Sequence, residues 1–441
     1  MDFSPRFASA YKVVQDTRGW TLSQRQRTLG GVIAADVRHR LLLPRWQLAA
    51  CSSMHAVNDA LFAGLYPLLP LMALDLGLSY GEVGAIKTAY SGASAVLQIP
   101  GGVLAERMGE QLALALGTGW VAIGMIGMGV VSSFWLLLVV SALAGVGGNI
   151  QHPAAASVVS RLYEHGRRGT AIGTLNFSGD LGKMLAPAIA GTAALALGWR
   201  GGLLVLGVAS LAFAVLYAFL VPQPALEVEG TSKTSEKAVD TSEALTASGG
   251  RPVGTWGITH PLAFAALLCV GMLDSAARGT ALTFLPFVLA DRGADPSATS
   301  ISFGVLFAAG AAGKFLCGPF GDRYGAILTI ALSELLTAAS LGGLLVTPLA
   351  LAPVVLLPLG FVLNGTSSVL YASVAGLVAP ERRSRGYGLY YTGTQVASAL
   401  FPILYGMLAD GVGLTMAFAT LAVVTAAIAP LSLTMRTRHA A

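Results

Sequence analysis

Eight ionisable side chains stand inside stretches of sequence that otherwise hold almost none: Asp59, Lys87, Asp180, Lys183, Asp274, Arg278, Lys314 and Glu334. At the centre of a membrane helix each costs about 2.5 to 3.5 kcal/mol, so each requires a partner, water or a task. A carboxyl group that alternates between a dry and a cation-lined environment takes up and releases a proton. Asp59, Asp180 and Asp274 are therefore candidates for proton coupling, with His55 one helical turn before Asp59 and on the same face. Lys87, Lys183, Arg278 and Lys314 are candidates for holding an anion.

Spacing sorts these groups. Asn176, Asp180 and Lys183 follow one another at i, i+4 and i+7, so they share a helical face and Asp180 can meet Lys183. Asp274 and Arg278 are spaced to do the same. Either pair is a fixed ion pair that lets two charges coexist in lipid, or it opens when a substrate anion takes the cation or a proton neutralises the acid. Asp59 has no basic residue within a turn, so its partner comes from another helix; it sits about 18 Å along a helix beginning near Leu48, close to the middle of a core of about 30 Å. Lys87, Tyr90, Ser91, Ser94 and Gln98 form a polar stripe fit to line a cavity, and snorkelling of Lys87 to the headgroups is the competing reading. For His55 and Asn58 the competing reading is hydrogen bonding between helices.

The elements that position these residues are apolar helices. A mean hydropathy of +0.69, with 54% hydrophobic and 11% charged residues, leaves too little polar surface to cover a water-soluble globule. Spans are expected at about 47 to 74, 80 to 104, 111 to 131, 134 to 162, 168 to 197, 199 to 221, 259 to 290, 297 to 320, 326 to 347, 350 to 378, 384 to 409 and 412 to 435. The second six repeat the first. Gly102-Val-Leu-Ala-Glu106-Arg107-Met-Gly109 returns 216 residues later as Gly318-Pro-Phe-Gly-Asp322-Arg323-Tyr-Gly325, and Asp59, Pro70 and Asn149 recur as Asp274, Pro286 and Asn364 at nearly that offset.

The expectation is an all-α membrane protein of twelve transmembrane helices in two pseudo-symmetric bundles, 46–221 and 259–435. Around them lie an extension (1–45), a linker (222–258) rich in Ser, Thr, Glu, Lys and Gly, and a short tail (436–441). Lys and Arg crowd the loops on the side of both termini, and the opposite loops carry Arg200 and Arg292 alone, which predicts cytoplasmic termini in a plasma or bacterial inner membrane. The formal charge of +5 is thus a matter of topology, with no sign of nucleic acid as a partner. Cys51, Cys269 and Cys317 show no metal or redox spacing, His152 lacks further ligands at metal spacing, and no phosphate loop, nucleophile elbow or zinc motif occurs. No cofactor, no metal and no enzymatic activity are expected.

Twelve spans in two halves and a glycine and acid-arginine phrase after spans two and eight resemble the major facilitator superfamily. Its pattern runs roughly G-x-L-a-D-r-x-G-r-k; here Glu106 replaces the acid, Glu110-Gln111 replaces two basic residues, and the second copy lacks the basic pair, so the cytoplasmic latch implied for Gly102, Glu106, Arg107, Gly109, Gly318, Asp322, Arg323 and Gly325 is weakened. A narrower resemblance, to the fosmidomycin resistance branch, rests on His55-Ala-Val-Asn58-Asp59, Gln98-Ile-Pro100-Gly101 and Gly147-Gly-Asn-Ile-Gln-His152-Pro153, with Ala154 where that branch has an acid.

The resemblance implies a central cavity lined in part by His152, Asn364 and Tyr371, and places Glu334 in a peripheral span where a local pairing suffices; Asn58, Gln98 and Asn176, on the polar faces read from spacing, are further candidates to bind substrate. Lys314 either binds substrate or closes the cytoplasmic side. The function expected is secondary active transport of a small, anionic organic solute or drug by alternating access. Resemblance favours proton-coupled efflux; proton-coupled uptake of an organic anion or siderophore, a channel and a non-transporting sensor are the alternatives. Small-molecule substrate, protons and bilayer are the expected partners, and no oligomer is required.

Overall fold

The computed structural model describes residues 42–96, 101, 104–105, 107–148, 150–163, 167–222, 257–379 and 382–435. Gln98, Gly102, Glu106, Asn149, nearly all of the expected extension and linker, and the tail after 435 lie outside the described residues. Span one is the helix Pro44–Gly64, broken by a 3-10 turn at Tyr66–Leu68 beside Pro67 and resumed at Leu69–Leu76. Proline opens it without cost, because the first amide of a helix has no partner to lose. Span two begins as Tyr80–Val96, span three is Glu110–Val130, and span four is Phe134–Gly148 followed by Gln151–Leu162.

Arg168–Leu220 is one helical run of 53 residues, about 80 Å, more than twice the membrane core. Gly198 bends it (φ 71°, ψ 175°), which divides it into spans five and six. The second half follows as Pro261–Ala290, Pro296–Tyr324, Ala326–Val346, Ala352–Ala375, Arg383–Val412 and Leu414–Ser432. Among the described residues nine helical stretches have the length and apolar character to cross a membrane, one of them the double-length run, and the shorter helices of spans two and four complete the twelve.

Packing repeats with the sequence. Span one packs on five as seven packs on eleven, two on four as eight on ten, and three on six as nine on twelve. The halves meet through two on eleven and, equivalently, eight on five. The repeated phrase closes identically in both copies: Gly109 (φ 89°, ψ 126°) and Gly325 (φ 89°, ψ 142°) hold the reversals before spans three and nine in a region closed to residues with a Cβ. Gly318 lies inside span eight and needs no such freedom.

The face carrying Pro44 and Met435 is here termed the terminal face. On the opposite face Asp410 at the end of span eleven accepts hydrogen bonds from the amides of Tyr80 and Gly81 at the start of span two, each at 2.8 Å. A carboxylate thereby caps a helix of the other half, satisfying amides that have no partner within their own helix. Tyr66 stacks on Phe303 with ring centroids 5.7 Å apart, closing the same end between spans one and eight. The two arginines of the opposite loops are occupied: Arg200 binds Asp75 at 2.9 Å and lies 4.2 Å over the Trp199 ring, and Arg292 donates to the carbonyls of Leu345 and Thr347. Both are helix-end fasteners.

Candidate functional site

A cavity of about 270 Å³ lies between the halves, with walls from both. Lys87, Lys183, Arg278 and Lys314 line it, and Asp59 is the one carboxylate in its wall among the described residues. Asn58, His152 and Asn364 also reach it, together with Ser91, Ser94, Gln395 and Ser398.

Asp59 is held by the close approach of spans one and five. A Cβ on Gly182 would strike the carbonyl of Ala56, and one on Gly179 would strike the Asp59 carboxylate and the His55 ring. Ser178 Oγ also donates to the carbonyl of Ser52 at 2.8 Å. With the backbones this near, Lys183 Nζ reaches Asp59 Oδ2 at 2.8 Å and Asp180 Oδ1 at 3.5 Å, while Lys314 Nζ, from span eight, reaches Asp180 Oδ1 at 2.5 Å. The result is an alternating row, Asp59, Lys183, Asp180, Lys314, that crosses from one half to the other. Each charge is flanked by its opposite, which offsets the cost of burial.

Two imidazoles flank the row. His55 Nε2 lies 3.8 Å from one oxygen of Asp59 and His152 Nε2 4.0 Å from the other, and the rings meet edge-on at 5.0 Å. His55 Nδ1 and Asn58 Oδ1 are buried with no hydrogen-bond partner among the described residues.

A second cluster belongs to the C-terminal half. Arg278 Nη2 lies 3.4 Å from Asp274 Oδ2, one turn away on span seven as the spacing predicts, and donates to Ser275 Oγ at 3.1 Å. Glu334 of span nine is buried, and its Oε1 has no hydrogen-bond partner among the described residues. Tyr371, Tyr390 and Tyr391 pack together beside this cluster, with centroids 5.6 Å from Tyr371 to each of the others.

Lys87 differs from the other cations. Its Nζ donates to Ser91 Oγ at 2.6 Å and stands 4.8 Å from the Tyr66 ring and 5.7 Å from the Tyr90 ring. Among the described residues no carboxylate lies within ion-pair distance of it, and the residue is only 5% exposed. Snorkelling to the headgroups is thereby replaced by a seat in the cavity wall, where ring faces and one hydroxyl stabilise the charge.

Several expectations are corrected. Asn176 is exposed and outside the cavity wall, about two turns of span five from Lys183 toward the terminal face. Tyr371 is also outside the wall, drawn into the tyrosine cluster. Asp180 and Lys183 do meet, but each has a nearer partner on another helix. Arg107, Asp322 and Arg323 are exposed at the terminal face. Glu110, which stands where the superfamily phrase has a basic residue, takes both guanidinium nitrogens of Arg161. Gln111 joins Gln47 at 2.5 Å and accepts from Tyr217. Gln395 and Ser398 of span eleven were not singled out from sequence, although Tyr391, Gln395 and Ser398 recur at helical spacing as a polar stripe.

The family model of the Major Facilitator Superfamily matches residues 51–276 and 267–441. A probable sulfoacetate transporter of Cupriavidus necator is 24% identical over 361 residues, 78% of this chain and 82% of that protein. The fosmidomycin resistance protein of Escherichia coli is 26% identical over 169 residues, 38% of this chain and 41% of that protein. Among solved structures, a nucleoside transporter superposes with a TM-score of 0.71 at 14% identity, covering 88% of this chain and 98% of that one, a likeness of fold alone.

Proposed function

Because the chain belongs to the Major Facilitator Superfamily, we propose that it is a secondary active transporter that carries a small organic anion through the cavity between its halves, coupled to protons, by alternating access. The observation that carries this reading is the cavity wall: four cations face the space against one carboxylate. Three of the four are shared with Asp59, Asp180 or Asp274, and Lys87 is the surplus charge. An anionic headgroup placed there meets Lys87 directly and can draw Arg278 from Asp274. The 270 Å³ volume suits a solute of a few heavy atoms, and the likeness to a probable sulfoacetate transporter supports a sulfonate or carboxylate.

The contact of Lys314 with Asp180 ties the halves together on the terminal side of the cavity and has to open when that side admits solute. The terminal face is read as cytoplasmic and the membrane as a bacterial inner membrane, since the opposite-face arginines are both engaged in loop contacts. Two directions remain in view. The likeness to a fosmidomycin resistance protein supports export, and the likeness to a probable sulfoacetate transporter, over 78% of this chain, supports transport of an organic acid, with uptake as one direction.

Proteoliposomes with an imposed pH gradient and a panel of sulfonates, carboxylates, phosphonates and their neutral analogues test the reading. Gradient-driven, saturable flux restricted to the anions is expected. Flux of neutral solutes without anion transport, or flux without saturation and without proton movement, would overturn it.

A further inference from the structure

The two imidazoles beside Asp59 are placed very differently. His55 is shut between spans one and five with its side chain 4% exposed, whereas the side chain of His152 is 49% exposed and is the one imidazole in the cavity wall among the described residues. They also face different oxygens. Asp59 Oδ2 is taken by Lys183 at 2.8 Å and approached by His55 at 3.8 Å, which leaves Oδ1 turned toward His152 Nε2 at 4.0 Å. Beyond that approach and the edge-on contact with His55, His152 has no hydrogen-bond partner among the described residues. A ring with open nitrogens thus stands between a carboxylate oxygen and the space in which an anion would sit.

We propose that His152 takes up a proton together with the substrate anion, so that one side chain joins substrate binding to proton binding. A neutral imidazole has one N–H and one free nitrogen, and a proton from solution on the free nitrogen makes both of them donors. Nε2 then faces Asp59 Oδ1, and Nδ1 is left for a carboxylate or sulfonate oxygen. No covalent bond other than the new N–H is made or broken. Anion and proton bind with positive coupling and cross together, and linkage makes the effect reciprocal.

The charges facing the ring explain why an anion is needed. Asp59 of span one favours an imidazolium, while Lys183 of span five and Lys314 of span eight oppose it and His55 competes for the same carboxylate. Lys87 of span two adds a further positive charge in the same wall, and Glu110 of span three is held by Arg161. An anion in the cavity offsets these cations and supplies the second acceptor. The proposal rests on the anion-transport reading above, and it adds which residue carries the proton.

Calorimetric titration of the purified full chain with sulfoacetate and other small sulfonates and carboxylates, repeated in buffers of different ionisation enthalpy, counts the protons taken up on binding. Wild type is expected to take up about one proton per anion, with affinity falling as pH rises by at most about tenfold per unit. His152→Gln should bind with no proton uptake and with affinity nearly independent of pH between about 6 and 8. Lys87→Gln, by contrast, should bind more weakly and still take up the proton. Binding by wild type without proton uptake, or full uptake in His152→Gln, would overturn the role of His152 and leave the anion reading standing. Binding of no anion at all would overturn the anion reading and this proposal with it.

Nitrogen spectra of wild type carrying ¹⁵N-histidine read the same event without a variant. One of the six imidazoles of the chain should pass from neutral to protonated when sulfoacetate is added. Spectra in which every imidazole keeps its state while the anion binds would contradict the proposal, whether or not His152→Gln folds.

Discussion

Lys314 of span eight and Asp180 of span five meet at 2.5 Å across the boundary between the two halves. Asp180 also lies 3.5 Å from Lys183, which in turn holds Asp59 at 2.8 Å. One contact between halves is thus the end of a row that begins at the centre of span one. Movement of one half against the other breaks the Lys314 contact and leaves Asp180 with Lys183 alone.

The first prediction concerns this row. Removing Lys314 alone leaves Asp180 with the more distant Lys183, and removing Asp180 alone leaves Lys314 uncompensated. The double change Asp180→Asn with Lys314→Gln should cost less than the sum of the single changes, with an interaction of about 0.5 to 3 kcal/mol. A thermal-unfolding cycle measures it, and additive losses would show that the contact contributes nothing.

A second prediction uses glycine. Gly182 lies against the Ala56 carbonyl, whereas nothing stands within 4 Å of a Cβ built on Gly173 in the same helix. Gly182→Ala should lower stability by about 1 to 3 kcal/mol and disturb Asp59 through span one. Gly173→Ala should be neutral or stabilising by about 0.5 to 1 kcal/mol. Similar melting temperatures for the two variants would show that spans one and five are not pressed together at this point.

Asp59 provides the third. It is the one carboxylate in the cavity wall among the described residues, and His55, His152 and Lys183 all converge on it. Asp59→Asn keeps the shape and removes the titration, so gradient-driven accumulation should be lost while substrate exchange continues. Accumulation at the wild-type level would exclude Asp59 from coupling.

Much of the fold was legible because its signals are local. Apolar length gave the spans, and the paired glycine phrase gave the duplication, with Gly109 and Gly325 adopting the same positive φ. The site was legible as a set of charges and much less as a set of partners. Spacing along one helix reveals Asp274 with Arg278 and Asp180 with Lys183, but says nothing of which helix faces which. Lys183 with Asp59 and Lys314 with Asp180 are contacts between helices. Lys87 was ambiguous for the same reason: the Tyr66 ring that seats it belongs to another span.

The central claim is that the cavity binds an anion through cations that its own acids do not fully neutralise. Binding titrations of purified protein with sulfoacetate and other small sulfonates and carboxylates, each matched by a neutral analogue, test it most directly when wild type is compared with Lys87→Gln and Arg278→Lys. Loss of a charge-assisted contact worth about 1.5 to 3 kcal/mol should weaken anion binding by roughly ten- to a hundredfold in Lys87→Gln. Arg278→Lys, which keeps the charge but not the two-pronged grip, should weaken it less, and neither change should alter the affinity of the neutral analogues. Equal anion affinity in wild type and both variants, or preference of wild type for the neutral partners, would contradict the account.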